Sequence, residues 1–397
     1  MKTNAMRSRV VPLTLAAALI YGLSSGIRAN YGILLGPISQ NSGVDYASVS
    51  FVLAVAQLFF GIMQPVFGIL AMKKSNTFVL RNGIALVTAG ILLLPFCKSL
   101  LTLMAVLGVI LPSGTAALSF GVIMGILTPQ LPGQTASIAS GVVTASSGVG
   151  STILSPIIQA LTAAVGLLGT MLFLGVPSLL LLPVSVYLCR STKEIVPITE
   201  KREEIRLTVL AQEAIQSWDY RFLLAGFFTC GFHMAIIETH LFTQITTFGF
   251  SEQIAAYAFS IYGIATMLGS IVSGALCGRF CMKTVLGWIY ASRVGILLAF
   301  LLLPKSLLVI YGFAALLGLT GNATVPPTSG LTERIFGAAK LATLFGVVFF
   351  SHQIGSFFSA WLGGLCLSAT GDYILIWLAD ILFSSIAAIV SWRIKPV

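Results

Sequence analysis

The chain has 397 residues, 57% of them hydrophobic and only 9% charged, with 22 Lys and Arg against 12 Asp and Glu for a net charge of +10. A soluble globular domain carries about 25% charged residues, so this chain cannot surround itself with a water-facing surface. The positive charges are spread over short loops and not gathered in one basic domain, which argues against a nucleic-acid partner and reads as a topology signal.

Apolar stretches of about 20 residues recur from end to end, the length a helix needs to cross a bilayer. They are too long and too weakly alternating for barrel strands, so the expected class is an all-α membrane protein. The chain starts Met1-Lys2, and its first apolar run begins at Val10 and continues through Arg28 to about Gly36 with no cleavage site, which predicts an uncleaved first helix. Further helices are predicted near 47–71, 78–96, 99–127, 137–163 and 166–189. A polar linker from Arg190 to Tyr220 follows, expected in part as an amphipathic surface helix. Helices resume near 221–247, 253–279, 284–303, 306–330, 338–366 and 372–392. The reading is twelve spans, with halves at 1–189 and 221–397 joined by 190–220.

One side of this arrangement collects Lys2, Arg7, Arg9, Lys73, Lys74, Arg81, the linker, Arg279, Lys283, Arg334, Lys340, Arg393 and Lys395, whereas the other holds only Lys98 and Lys305. The bias predicts a cell (inner) membrane protein with both termini and the linker in the cytoplasm. The six cysteines fall mostly in apolar segments and read as packing residues.

The two halves repeat each other. Lys98-Ser99-Leu100-Leu101 recurs as Lys305-Ser306-Leu307-Leu308, and Gly68-Ile69-Leu70 corresponds to Gly274-Ala275-Leu276. Gly114 has its counterpart in Gly321, and Gly141-Val142-Val143 with Gly150-Ser151 recurs as Gly346-Val347-Val348 with Gly355-Ser356. The offset stays between 205 and 207 residues, so the duplication spans several helix pairs.

Two six-helix repeats with a central linker resemble the major facilitator superfamily over nearly the whole chain. More narrowly, the chain resembles the bacterial monocarboxylate-porter and oxalate/formate-antiporter branch. The resemblance rests on Gly26-Ile27-Arg28-Ala29-Asn30-Tyr31-Gly32, Gln64-Pro65-Val66-Phe67-Gly68, Cys230-Gly231-Phe232-His233 with Thr239-His240-Leu241, Ile289-Tyr290-Ala291-Ser292-Arg293, and His352-Gln353-Ile354-Gly355-Ser356 running to Ala360-Trp361-Leu362-Gly363-Gly364. It implies a substrate site between the halves near the membrane midplane. One departure stands out: the family's loop after the second helix carries an Asp where this chain has Met72, and the second copy has Gly278 there.

Ionisable residues inside the membrane cost about 2.5–3.5 kcal/mol each at a helix centre, so they point to a cavity or a partner. Arg28 lies about eighteen residues into the first helix, and its planar fork of donors suits a carboxylate, either of a substrate or of a structural ion pair. The seventh helix carries His233, Glu238 and His240, with His233 at the depth of Arg28 by the repeat offset. Glu238 is a candidate ion-pair partner of Arg28, a proton carrier, or both. His233 and His240, seven residues apart, share a face, which would also suit a metal, although no metal or cofactor is expected. His352-Gln353 replaces Ser147-Gly148 of the first half, so polarity exists on one side only. Asn322, Thr324, Pro326 and Pro327 are expected to break the tenth helix, as Pro112 to Thr115 do the fourth. Arg293 and Asp380 are expected to neutralise each other as a structural pair, and the small residues Gly141 to Ser151 of the fifth helix to form a surface for close helix approach.

The substrate-binding candidates are therefore Arg28, Tyr31, His233, Asn322, His352 and Gln353, and the proton-coupling candidates Glu238 and His240. They predict a monomeric secondary transporter, embedded in the lipid bilayer, that moves a small organic anion such as a monocarboxylate by alternating access, driven by protons or by exchange. The alternative is a proton-driven exporter of hydrophobic compounds. An enzyme is not expected, because no His-Glu-x-x-His, Walker or Gly-x-Ser-x-Gly motif is present.

Overall fold

The computed structural model describes residues 2–127, 131, 133–190 and 214–395, and all its described secondary structure is helical. The helices are α1 (Val10–Ala29, continued by Tyr31–Ser42), α2 (Tyr46–Ala71), α3 (Asn76–Phe96) and α4 (Leu100–Leu127). Next comes one helical stretch of 51 residues, Ala139–Cys189. After the linker follow α7 (Trp218–Thr247), α8 (Glu252–Cys277), α9 (Met282–Leu302), α10 (Leu307–Phe336), α11 (Thr343–Thr370) and α12 (Ile374–Arg393). The surface helix expected in the linker falls in 191–213, outside the described residues.

The 51-residue stretch is two spans. At about 1.5 Å per residue it would measure about two and a half times the thickness of a bilayer core. Gly166 interrupts it with φ 66° and ψ −173°, a conformation closed to a residue with a Cβ, and the chain reverses there. Thr162 and Thr170 meet hydroxyl to hydroxyl at 3.3 Å across the reversal, where a straight helix would hold them about 12 Å apart. The two segments are α5 (139–165) and α6 (167–189), which makes twelve traverses.

Helix ends are fixed by short polar residues in the loops. Asp45, Ser75, Ser99, Ser217, Ser251 and Ser306 each accept a hydrogen bond from a first-turn backbone N–H, worth about 1 kcal/mol apiece. Ser48 holds the Asp45 carboxyl below the usual carboxylate range through that cap. Lys98 and Lys305, the two basic residues away from the termini, also close loops. Lys98 donates to the Asn41 carbonyl at 2.7 Å, and Lys305 donates to the carbonyls of Phe300 and Leu303 behind α9.

The repeat is visible in the packing. On the first side α1 and α5 touch so closely that a Cβ on Gly150 would run into the Gly22 carbonyl. On the second side α7 and α11 touch the same way, with Gly355 against the Phe228 carbonyl. These contacts are related by the offset read in the sequence. The terminus-bearing end of the bundle differs: Gly68 on α2, Gly141 on α5, Gly274 on α8 and Gly346 on α11 have nothing within 4 Å of a Cβ position.

Gly231 of α7 lies directly against the His352 carbonyl of α11. A valine there forces the helices apart at a cost of about 1–3 kcal/mol. Gly231→Val is therefore expected to lower the unfolding temperature in detergent by several degrees, and Gly346→Ala to leave it unchanged. A thiol-reactive dye melting curve measures both.

Candidate functional site

The site forms where α1 and α2 of the first half meet α7 and α11 of the second. Arg28 of α1 is 18% exposed and donates through Nη1 to Gln57 Oε1 of α2 at 3.0 Å. The same nitrogen lies 3.5 Å from Glu238 Oε2 of α7, so an ion pair crosses between the halves at mid-depth. The guanidinium sits over the Phe60 ring, 4.7 Å from its centroid. Phe60 leads to Phe349 of α11, whose ring stacks on His352 at 5.4 Å, and Phe227 of α7 packs at a tilt against both, 5.2 Å from His352. The cation and the imidazole thus lie along one aromatic wall shared by both halves.

Polar atoms without partners lie on the same helices. The Tyr31 hydroxyl, both amide atoms of Gln353 and the Gln64 Nε2 are buried and have no hydrogen-bond partner among the described residues. Each such group costs about 1–3 kcal/mol, so their presence calls for a function. Gln353 is packed side-on against Gly61 of α2, and Gly32 of α1 lies against the backbone carbonyls of Glu238 and Thr239. Only residues without a Cβ allow these approaches.

Helix α7 departs from regular geometry where the chemistry lies. Residues Ile237–Leu241 form a π-helical turn that holds both Glu238 and His240. The extra residue per turn rotates the far part of the helix, so His233 and His240 do not share a face as the regular period predicts. His233 turns to α12, with Nδ1 2.6 Å from Asp380 Oδ2, and is fully buried. His240 turns to α2 and α11. Its Nε2 donates to the Ala360 carbonyl at 2.8 Å, which leaves Nδ1 to accept from the Tyr46 hydroxyl at 3.0 Å. Among the described residues no group of His, Cys, Asp and Glu is arranged to hold a metal ion.

Arg293 and Asp380, expected to neutralise each other, make no direct contact, although their charges still act on each other. Asp380 takes His233 instead, and Arg293 turns inward to cap α10, donating from Nη2 to the carbonyls of Thr320 at 2.6 Å and Gly321 at 2.9 Å. The reason is local: the predicted break in α10 is present, as a 3-10 turn at Asn322–Thr324, and its freed carbonyls are the nearest acceptors for a buried guanidinium. Asn322 is half-buried in this break.

Beyond the Arg28 layer the halves are pinned together. The Tyr46 hydroxyl reaches His240, Thr243 Oγ1 at 3.1 Å and the Tyr373 hydroxyl at 2.8 Å. Phe51 packs on Trp361 at 5.5 Å, and Gly364 lies against Ser50. Outside this layer opens a vestibule of about 560 Å³ lined by Gln40, Asn41, Tyr46, Gln159, Thr243 and Glu252 among others. The sequence reading missed Gln57, Phe60 and Tyr46. Gln57, Gly61 and Gln64 recur at helical spacing on α2, a signal that could have found the first. Tyr46 opens its helix with no such pattern.

A twelve-span bundle with duplicated halves and a polar layer between them agrees with what comparison finds. The family model described as Major Facilitator Superfamily matches residues 17–315 and 246–397. The chain belongs to the major facilitator superfamily. An uncharacterized MFS-type transporter of Bacillus subtilis (strain 168), YcxA, is 26% identical over 382 residues, covering 93% of this chain and 91% of that one. Human monocarboxylate transporter 12 is 26% identical over 377 residues, covering 86% of this chain and 72% of the human one. Among solved structures, a bacterial homolog of the human lysosomal transporter Spinster, in an inward-facing and occupied conformation, superposes with a TM-score of 0.75 at 15% identity over 96% of both chains. A D-xylose–proton symporter superposes with a TM-score of 0.71 at 14% identity, covering 98% of this chain and 97% of that one. These likenesses fix the fold, and membership of a transporter family implies a small-molecule substrate.

Tyr46→Phe removes the one hydroxyl that ties α2 to α7 and α12 and leaves His240 Nδ1 without a donor. A buried group stranded in this way costs about 1–3 kcal/mol, enough to shift a two-state population roughly tenfold. Spin labels at the ends of α2 and α11 beside the vestibule are expected to show a longer-distance population in Tyr46→Phe that is minor in the wild type, read by double electron–electron resonance.

Proposed function

We propose that this protein is a secondary transporter that carries a small organic anion, a monocarboxylate by class, across the inner membrane by alternating access. The reading rests on one observation above the others: Arg28 is partly accessible between the halves, and the carboxylate it meets there belongs to the opposite half. A buried guanidinium held by an internal carboxylate can exchange that partner for a carboxylate of the same geometry. Substrate then replaces Glu238 at Arg28, and the hydrocarbon part of the substrate lies on the wall of Phe60, Phe349 and His352. Gln57, Tyr31 and Gln353 supply further hydrogen bonds. The likeness to a monocarboxylate transporter over most of both chains supports the same substrate class.

Glu238 is the coupling group in this scheme. Displaced from Arg28 and left in a low-dielectric layer, its carboxylate takes up a proton, so one proton accompanies one anion. His240 serves as the pin of the layer beyond, through Tyr46 and Ala360. With the termini in the cytoplasm, as the basic loops argue, the arrangement described is closed to the outside at Tyr46–His240 and relaxed toward the cytoplasm at Gly68, Gly141, Gly274 and Gly346. The aromatic wall also supports a second reading, a proton-driven exporter of hydrophobic compounds.

Reconstituted vesicles separate the two. With an alkaline lumen, the wild type is expected to accumulate a labelled monocarboxylate, and Arg28→Gln to lose at least tenfold of the initial rate. That loss is the scale of one charge-assisted hydrogen bond, about 1.5–3 kcal/mol. Arg28→Lys keeps the charge without the fork and is expected to fall between. Uptake by Arg28→Gln at the wild-type rate would remove the anion reading, and gradient-driven export of a lipophilic dye unaffected by Arg28→Gln would favour the exporter.

A further inference from the structure

The second half holds a charged cluster that the scheme above does not use. His233 of α7, Arg293 of α9 and Asp380 of α12 are each 0% exposed. A carboxylate only accepts hydrogen bonds, so the 2.6 Å contact places the hydrogen on His233 Nδ1 and leaves a lone pair on Nε2. That Nε2 has no partner among the described residues, and neither have Nε and Nη1 of Arg293. Buried polar networks are normally satisfied throughout. This one is satisfied on the Asp380 side and open at the atom where a proton would bind.

We propose that His233 and Asp380, with Arg293 beside them, form a proton-binding site in the second half of the transporter, separate from the Arg28–Glu238 pair. The inference rests on the transport reading above for its role in coupling, though not for its chemistry. The proton adds to His233 Nε2 while Nδ1–H stays on Asp380. The cluster passes from zero net charge, Arg293 against Asp380, to +1. Burial and the guanidinium oppose the imidazolium, and the carboxylate stabilises it. The other titratable groups facing the cluster are Cys230 from α7, Tyr262 from α8, Tyr290 from α9 and His352 from α11, while α10 offers only hydroxyls and carbonyls.

The cluster is built to be read by the substrate layer. Arg293 Nη2 holds the carbonyls of Thr320 and Gly321 at the break in α10, next to Asn322. Cys230 lies 3.6 Å from Arg293 Nη2 and 3.1 Å from Thr324 Oγ1, joining α7 to the same break. A second positive charge on His233 repels Arg293 and weakens its hold on the α10 break. Along α7, the π-helical turn that carries Glu238 begins four residues beyond His233. One proton therefore acts on two helices that border the site.

The chain contains three histidines, His233, His240 and His352, so imidazole nitrogens can be followed one by one. The full-length protein, labelled with 15N-histidine, is placed in lipid nanodiscs and titrated from about pH 8 to pH 5, the range in which histidine ordinarily changes charge. Each residue is assigned with its His→Gln variant. His233 is expected to pass from the Nδ1–H tautomer to the imidazolium within this range. Asp380→Asn, which keeps the hydrogen-bond acceptor but removes the charge, is expected to move that transition at least one pH unit lower, a tenfold weaker proton affinity. In vesicles, the acid limb of the uptake–pH profile moves with it. A His233 that stays neutral throughout overturns the proposal from the wild type alone, and so does a transition unchanged in Asp380→Asn. Absence of monocarboxylate uptake by the wild type would instead sink the anion reading and leave the titration standing.

Discussion

A guanidinium inside a bilayer needs an anion, and in this protein the anion comes from the other half of the molecule. The Arg28–Glu238 contact at 3.5 Å is the constraint around which the rest of the bundle is arranged. It draws α1 against α7, which requires Gly32 where the two backbones meet. It sets Gln57 and Phe60 of α2 as the remaining neighbours of the cation, and through Phe60 it joins the aromatic wall that ends at His352. The contact is partly exposed and long for an ion pair, so it holds the halves loosely enough to be exchanged.

The layers on either side of this contact differ in kind. On the vestibule side Tyr46, His240 and Tyr373 form a hydrogen-bonded pin whose rings pack at a tilt, and glycines allow backbone contact. On the terminus-bearing side the corresponding glycines of α2, α5, α8 and α11 face open space. Alternating access in a duplicated bundle means moving from this asymmetry to its mirror image. The repeated approach of α5 to α1 and of α11 to α7 keeps each half rigid while it moves, because the backbones touch at the glycines of both pairs.

Much of this was legible in the sequence. The span count followed from the spacing of apolar runs, and the repeat offset anticipated which glycines would occupy matching contacts, such as Gly150 and Gly355. Arg28 announced itself by its depth, and Glu238 was the natural partner at similar depth. Side-chain direction was not legible. The π-helical turn at Ile237–Leu241 adds a residue to the helical period, so a face drawn with the regular period joined His233 to His240 and missed Asp380 and Tyr46. Arg293 and Asp380 looked like partners because they are opposite charges of similar depth, but the broken end of α10 offered the guanidinium two carbonyls. Sequence gives the depth of a residue in a membrane helix more readily than its azimuth.

The account stands on Glu238 and substrate competing for one cation. Equilibrium binding of a labelled monocarboxylate to purified protein, wild type against Glu238→Gln, tests that most directly. Without the internal carboxylate the anion no longer has to displace a charge, so Glu238→Gln is predicted to bind about tenfold more tightly, the equivalent of about 1.4 kcal/mol, with little dependence on pH. Weaker binding by Glu238→Gln would contradict the account, since it would make Glu238 a ligand of the substrate and not its rival.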